Sequence, residues 1–513
     1  MYLTQGLHRA VQQQPDQVMT IFGDRERTFR EVAARVARLA AALRGLGVGG
    51  SDRVAMLALN SDRYSEYLLA VPWANAVLNP VNSRWSAAEI GYSLRDSQTR
   101  VLLVDDVFAP MLPALREAVP DLATVIYAGD GPPPGGIPAM LGYEDLIAAA
   151  DPVQDARRGG AELAGVFYTG GTTGFPKGVM LSHANLATSW LGSAASGYLA
   201  QPGARALHTA PMFHLADMAS WGSVVMIGGS HVIVPGFDPA AVLTAIERYR
   251  VTDVLLVPTM IQLLADHPGV TGYDLASLRS VLYGASPISE AVLERAMKAF
   301  PSASFTQAYG MTELAPVATL LSPADHQRGH LRSAGRAAPH AEIRVVGPDD
   351  GRLPAGQVGE IIVRGGHVML GYWNRPEETG NAVCDGWMHT GDAGYLDEQG
   401  YLYVVDRLKD MIITGGENVY SAEVENAVAS HPAVAQCAVI GVPDPHWGER
   451  VHAVVVLRSG ATVTIEELRA HVKTLIAGYK APGSLEITSE LPVSSTGKIL
   501  KRELRRRRDE PAQ

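Results

Sequence analysis

Tyr168 to Gly178 reads YTGGTTGFPKG, a run of glycines and hydroxyl residues that ends in a lysine. Such a run suits an oxyanion: glycines let backbone N–H groups approach closely, threonines add hydroxyl donors, and Lys177 supplies a compact positive charge. It is not a Walker P-loop, which requires Gly before the lysine and Ser or Thr after it, whereas Pro176 and Gly178 stand there. A flexible surface loop is the competing reading of the segment taken alone. Its flanks favour the anion site, because AGVFYT before it reads as a short buried strand and a helical pattern follows Ser182. The expected setting is strand, loop, helix.

The chain around this loop has 513 residues, 47% of them apolar and 19% charged, which implies a soluble globular protein of at least two domains. A formal net charge of −10 and a pI near 5.8 speak against a nucleic-acid partner, which would need a basic surface. The two cysteines, Cys384 and Cys437, lie far apart without CxxC spacing, so no disulfide framework or zinc site is expected and a cytoplasmic setting fits. The first residues, MYLTQGLHRAVQQQPD, carry no signal-peptide core, and no apolar run reaches membrane-spanning length.

Before the loop, capping boxes at Thr28-x-x-Glu31 and Ser86-x-x-Glu89 open helices, and Val54 to Leu59, Val101 to Val104 and Thr124 to Tyr127 read as strands. The PPPGG stretch at Pro132 is read as a linker closing a first lobe. A second βα rhythm runs through Gly165 to Tyr168, Ala206 to Thr209, His231 to Val234, Asp253 to Val257, Ser280 to Tyr283 and Ser304 to Gln307. From about Ala341 to Val405 strands and turns dominate, suggesting a small antiparallel barrel, and the last hundred or so residues suggest a small α+β domain. The fold class expected is α/β: two doubly wound αβα lobes plus the barrel in a large N-terminal domain of residues 1–405, a hinge at 406–410, and a C-terminal domain at 411–513. KRELRRRRDE at the end reads as a solvated charge run, and His326 and His330 read as loop residues because Gly329 intervenes. No GxSxG elbow occurs.

Four further motifs follow the phosphate loop: QAYGMTE at 307–313, TGD at 390–392, DRLKD at 406–410 and STGKILKREL near the end. In this order the five motifs resemble the adenylate-forming superfamily of acyl-CoA synthetases, luciferase and peptide-synthetase adenylation domains, over essentially the whole chain. Within it the chain looks most like the fatty-acyl-CoA and coumarate-type aryl-CoA ligases. The resemblance implies ATP, Mg2+ and coenzyme A as cofactors, with a carboxylate attacking the α-phosphate to give acyl-AMP and pyrophosphate before a thiol displaces AMP. A carboxylate is already ionised at neutral pH, so the first step needs fixed positive charge and oriented donors rather than a base.

By the same resemblance Thr169, Gly170, Gly171, Thr172, Thr173, Gly174 and Lys177 would hold the β- and γ-phosphates. Thr312 would touch the α-phosphate, Glu313 would carry the metal, and Tyr309 would lie against adenine, with Gln307, Ala308, Gly310, Met311, Gly284, Ala285 and Ser286 around the nucleotide. Asp392 and Arg407 would bind the ribose, although Asp392 taken alone in GWMHTGDAG reads rather as a turn residue. Lys498 would bridge the acyl carboxylate and α-phosphate, and Lys409 would be the hinge. Gly415, Gly416 and Glu417 would form the face used in the thioester half, which benefits from a base because an unperturbed thiol titrates near 8.5. His214 is a gate, a carboxylate neighbour or a base; a lone His after Phe is otherwise a packing residue.

The acyl pocket implied comprises His214, Asp217, Met218, Trp221, Tyr283 and Val317, with Ala285, Ala308 and Gly310 leaving a slot. Amino-acid-activating relatives place Asp where His214 stands, which disfavours an amino acid. The substrate expected is a lipophilic carboxylic acid, with a medium- or long-chain fatty acid ahead of an aryl or arylpropenoic acid. Loading of a carrier protein is the alternative, and a luciferase-like oxygenase or a silent nucleotide-binding protein are remoter ones. A homodimer is compatible with the reading.

Overall fold

The computed structural model describes residues 1–133, 135, 140–169, 176–286, 288–408, 410–415, 417–493 and 499–509. Local signals set the helices. Thr28 accepts from Glu31 N and Ser86 from Glu89 N in reciprocal capping boxes, opening helices Phe29–Gly45 and Ala87–Asp96. Each such cap is worth about 1 kcal/mol. Runs such as VLLV and RVAML are buried along their whole length, which places them inside parallel sheets covered on both faces.

Among the described residues the first sheet has eight strands, in the order Gly371–Tyr372, Lys177–Ser182, Leu163–Thr169, Val77–Pro80, Arg53–Leu57, Val101–Val104, Thr124–Tyr127, Leu141–Gly142. The second has nine: Arg336–Ala337, Val317–Leu321, Ser304–Gly310, Ser280–Gly284, Asp253–Leu256, Arg205–His208, Ser230–Ile233, Val18–Phe22, Arg25–Thr28. Both are parallel at the centre and antiparallel at one or both edges. Helix Asp62–Trp73 is buried throughout and touches strands of both sheets. Its carboxylate Asp62 receives Arg25 Nη2 at 2.9 Å and also pairs with Arg27, while Glu66 receives Arg35 Nε at 2.6 Å. These pairs satisfy charges that would otherwise be costly to bury.

Two lobes therefore form as expected, but the chain divides between them differently. The segment after Pro132 does not close the first lobe: strand Leu141–Gly142 extends its sheet, and helix Tyr143–Ala149 packs on Phe29–Gly45, with Tyr143 Oη donating to Glu66 at 2.7 Å. Strand Leu163–Thr169, expected to start the second rhythm, pairs with Val77–Pro80 of the first sheet. The phosphate-loop segment joins two antiparallel strands, Leu163–Thr169 and Lys177–Ser182, so it is a hairpin connection rather than a strand-to-helix turn. Lys177 pairs with Thr169, and the helix His183–Ala195 starts only after that second strand. KGVMLS buries Gly178, Val179, Leu181 and Ser182, and that burial draws the segment into the sheet.

The region expected to be a small barrel is a five-stranded antiparallel sheet, Glu342–Val346, Gly359–Arg364, Trp387–Leu396, Val383–Cys384, with Leu402–Arg407 also on Trp387–Leu396. Its ladders do not close into a ring among the described residues. A small C-terminal domain follows, with its own five-stranded sheet and helices Ser421–Ala429 and Ile465–Lys473 over a separate core that includes Val424, Val439, Val455 and Leu468. The terminal charge run is not simply solvated. It forms helix Lys501–Asp509, which buries Leu504 beside Ile440 and pairs Lys501 with Glu425 at 2.8 Å and Arg505 with Asp410 at 2.9 Å. His326 likewise is not a loop residue: it lies in helix Pro323–Gln327, started by a Ser322/Asp325 capping box, and bonds Tyr283 Oη at 2.8 Å. No helix among the described residues is long and apolar enough to cross a membrane.

Candidate active site

The site grows from the end of strand Ser304–Gly310. Register places Tyr283 beside Gln307, Gly284 beside Ala308, and Gly310 beside Val317, so the GAS, QAYG and Val317 segments are neighbours on three adjacent strands. These close approaches require glycine: a Cβ at Gly284 would overlap the Ala308 carbonyl, and one at Gly310 the Pro316 carbonyl. Ala285 follows with φ +67, a left-handed conformation uncommon for alanine.

Beyond the strand, the short turn Thr312–Leu314 carries Glu313 inward until only 7% of its surface is exposed. Tyr372 Oη donates to Glu313 Oε1 at 2.9 Å, and Met369 N donates to its carbonyl at 2.9 Å. Burial pushes the Glu313 carboxyl above its ordinary value, against the pull of its own backbone N–H, Tyr372, Arg407 and Lys177. Lys177 Nζ lies 5.2 Å from the Tyr372 ring centroid and is paired with Glu378. Among the described residues no group of three or more His, Cys, Asp or Glu could hold a metal. A single buried carboxylate is still the donor set expected for a magnesium ion whose other ligands are phosphate oxygens and water, so Glu313 fits that ion.

A second node forms at Tyr309, near the end of strand Ser304–Gly310. Tyr309 Oη donates to Asp392 Oδ2 at 2.8 Å, and Arg407 Nε lies 3.4 Å from Asp392 Oδ1, Asp392 and Arg407 being register partners. Thr390 Oγ1 accepts from Asp392 N at 3.1 Å and fixes the turn. Burial and then Asp392 push the Tyr309 phenol well above its ordinary value, so it remains a proton donor. Tyr309, Thr312, Glu313, Asp392, Arg407 and Lys177, drawn from distant parts of the chain, are thus brought together.

On the acyl side, His214 stands at the N-terminal cap position of helix Leu215–Ile227, with its ring centroid 4.4 Å from that of Phe213. Met218, Trp221, Tyr283 and Val317 are all buried. Asp217 turns its carboxylate onto His208 Nδ1 at 2.9 Å, and His208 Nε2 is 3.0 Å from His231 Nδ1, forming a polar chain inside the core. Burial keeps His231 neutral by pushing it well below its ordinary value. Trp221 is anchored by Nε1 donating to Ser65 Oγ at 2.9 Å.

Gly170, Gly171, Thr172, Thr173, Gly174, Lys409, Gly416 and Lys498 lie outside the described residues. Gly415 and Glu417 flank the turn between Ile412–Thr414 and Glu417–Val419, and Gly415 N donates to Trp447 O at 2.8 Å. Sequence reasoning missed Tyr372 and Glu378. GYWNRPEET offers turn residues and charges but nothing that marks Tyr372 as a partner of a residue 59 positions away.

Residues 7–373 match the AMP-binding enzyme family, and residues 423–498 match the AMP-binding enzyme C-terminal domain. The chain is 43% identical over 481 residues to a feruloyl-CoA synthase of Amycolatopsis sp, covering 94% of each. It is 35% identical to the fatty acid–[acyl-carrier-protein] ligase ScoC of Streptomyces coeruleorubidus, covering 97% of this chain and 94% of ScoC. Among solved structures it resembles the anthranilate CoA ligase AuaEII in complex with anthranoyl-AMP, with a TM-score of 0.91, 28% identity, and coverage of 99% of this chain and 97% of that one.

Proposed function

The chain belongs to the AMP-binding enzyme family and is a ligase of the acyl- or aryl-CoA type, and we propose that it converts an aryl or arylpropenoic acid, through an acyl-AMP, to its coenzyme A thioester. The observation that carries this reading is that one short stretch of chain, 309–314, holds both groups: Tyr309 bonds Asp392, which Arg407 faces, and Glu313 bonds Tyr372, over whose ring Lys177 lies. One node presents a carboxylate to ribose hydroxyls beside an aromatic ring suited to adenine. The other presents a carboxylate and an ammonium to a metal–phosphate group. The similarity to feruloyl-CoA synthase favours aryl acids over the medium- or long-chain fatty acids that the sequence alone ranked first.

In this reading ATP lies across the two nodes, and Lys177 and the 169–174 loop take its β- and γ-phosphates. Glu313 would hold Mg2+, which would supply charge neutralisation at the phosphates. The carboxylate of the acid attacks the α-phosphorus, the bond to the bridging oxygen breaks, and pyrophosphate leaves. Lys498 and Thr312 stabilise charge on the α-phosphate oxygens. Lys409 then serves as the hinge between residues 1–405 and 411–513, and the Gly415–Glu417 face admits the thiol. Thiolate attack on the acyl carbonyl expels AMP, with His214 gating access to the carboxylate end of the pocket. The two free thiols Cys384 and Cys437 suit a cytosolic setting. Loading of a carrier protein is the second reading, favoured by the similarity to ScoC.

The test is pyrophosphate release against benzoic to cinnamic acids and C2 to C18 fatty acids, with free CoA or a phosphopantetheinyl carrier protein as acceptor. The expected result is fastest release with a cinnamic-type acid and acyl-CoA by mass. Acylation of the carrier but not CoA would establish the second reading, and no release with any acid would overturn the proposal.

A further inference from the structure

The lysine assigned above to the nucleotide phosphates already has an anion. Lys177 Nζ is paired with Glu378, a residue of helix Pro376–Ala382. The pairing is built rather than casual. Arg375 Nη1 holds the same carboxylate at 2.6 Å, and Arg375 Nη2 donates to Tyr92 Oη at 3.1 Å. Thr379 Oγ1 accepts from Tyr372 N at 2.9 Å and donates to Arg375 O at 2.8 Å. The segment that carries Glu378 to Lys177 is therefore the segment that carries Tyr372 to Glu313. Lys177 and Arg375 hold the Glu378 carboxyl below its ordinary value, so it is an anion at neutral pH. Both side chains of the pair keep water access, at 26% exposure for Lys177 and 35% for Glu378.

An ammonium has three donors but one compact charge, and a carboxylate and a triphosphate placed on it together repel one another. We infer that Glu378 is an internal counter-anion: it occupies Lys177 when no phosphate is bound, yields it to the triphosphate of ATP, and recaptures it as pyrophosphate departs. The inference rests on the reading that Lys177 binds phosphate. Glu378 is in this sense a positioning residue that sets nucleotide and pyrophosphate affinity through Lys177. It costs ATP some binding strength and speeds product loss in return.

The experiment compares wild type, Glu378→Gln and Glu378→Asp for the apparent KM for ATP and the inhibition constant of inorganic pyrophosphate, at low and high salt. A partly exposed ion pair predicts both constants about two- to fivefold lower in Glu378→Gln at low salt, with the difference shrinking at high salt. Glu378→Asp, whose carboxylate falls short, is expected to move them the same way by less. Constants that stay put or rise would overturn the inference, since a structural ion pair leaves them unchanged and a lysine-orienting role raises them. Lys177→Gln separates the two levels. If it leaves pyrophosphate inhibition unaltered, the assignment of Lys177 to phosphate fails. If it weakens inhibition while both Glu378 variants match wild type, only the counter-anion role fails.

Discussion

Replacing Asp392 by Asn tests the ribose side of the site with little disturbance elsewhere. Asp392 is 8% exposed, and its two oxygens serve different partners: Oδ2 accepts from Tyr309 at 2.8 Å and Oδ1 faces Arg407 at 3.4 Å. Asparagine keeps one acceptor for the Tyr309 hydroxyl. It turns the other position into an NH2 facing the guanidinium, so at least one carboxylate bond to a ribose hydroxyl is lost. Alanine would be a poorer choice, because it would strand the buried Tyr309 hydroxyl at a cost of about 1–3 kcal/mol in stability. A hydrogen bond to a charged group contributes about 1.5–3 kcal/mol, which corresponds to a fall in kcat/KM for ATP of roughly 10- to 100-fold. The informative assay is pyrophosphate release with ATP and with 2′-deoxy-ATP in both proteins. Wild type should prefer ATP, and Asp392→Asn should lose most of that preference, because the hydroxyl no longer meets a carboxylate. A variant that discriminates between the two nucleotides as strongly as wild type would refute the placement of the ribose at Asp392.

Removing the phenol oxygen in Tyr372→Phe leaves the buried Glu313 without its 2.9 Å donor and should raise the Mg2+ concentration needed for half-maximal pyrophosphate release about tenfold; an unchanged Mg2+ titration would remove Tyr372 from the site. Lys498→Ala should abolish pyrophosphate release while ATP binding by calorimetry persists, and unchanged adenylation would sink the role assigned to that lysine. Asp62→Asn should destabilise the protein by about 3–5 kcal/mol, read as a lower thermal midpoint at pH 7, because Arg25 and Arg27 lose a fully buried partner. Although burial alone would raise the Asp62 carboxyl, Arg25 and Arg27 outweigh it and the folded value is depressed. Its contribution is therefore complete above the unfolded value near 3.9 and lost as pH falls through the lower folded value, so the gap between wild type and Asp62→Asn should close only below about pH 4.

Particular elements show how much could be read in advance. The boxes at Thr28 and Ser86 set helix starts through bonds spanning three residues, and those starts are where the sequence placed them. Strands Val101–Val104 and Thr124–Tyr127 declare themselves by the short runs VLLV and TVIY, rich in apolar and β-branched residues. The hairpin Val18–Phe22 and Arg25–Thr28 carries a weaker signal, its second strand being the wholly polar RERT, and nothing near it indicates that Val18–Phe22 pairs with Ser230–Ile233. The terminal helix Lys501–Asp509 looked solvated because one buried leucine among so many charges is invisible until Ile440 lies against it.

The same division runs through the site. The resemblance carried by five short motifs implied an adenylate-forming ligase and pointed to Lys177, Tyr309, Glu313, Asp392 and Arg407, because each motif is a short contiguous stretch of chain. The tertiary structure alone decided that Tyr372 meets Glu313, that Glu378 claims Lys177, and that Asp217 turns to His208 inside the core. Caps, turns and strand preference are governed by interactions among residues a few positions apart, whereas these pairings depend on which surfaces must be buried together once two sheets close on each other, a condition that no local stretch of sequence contains.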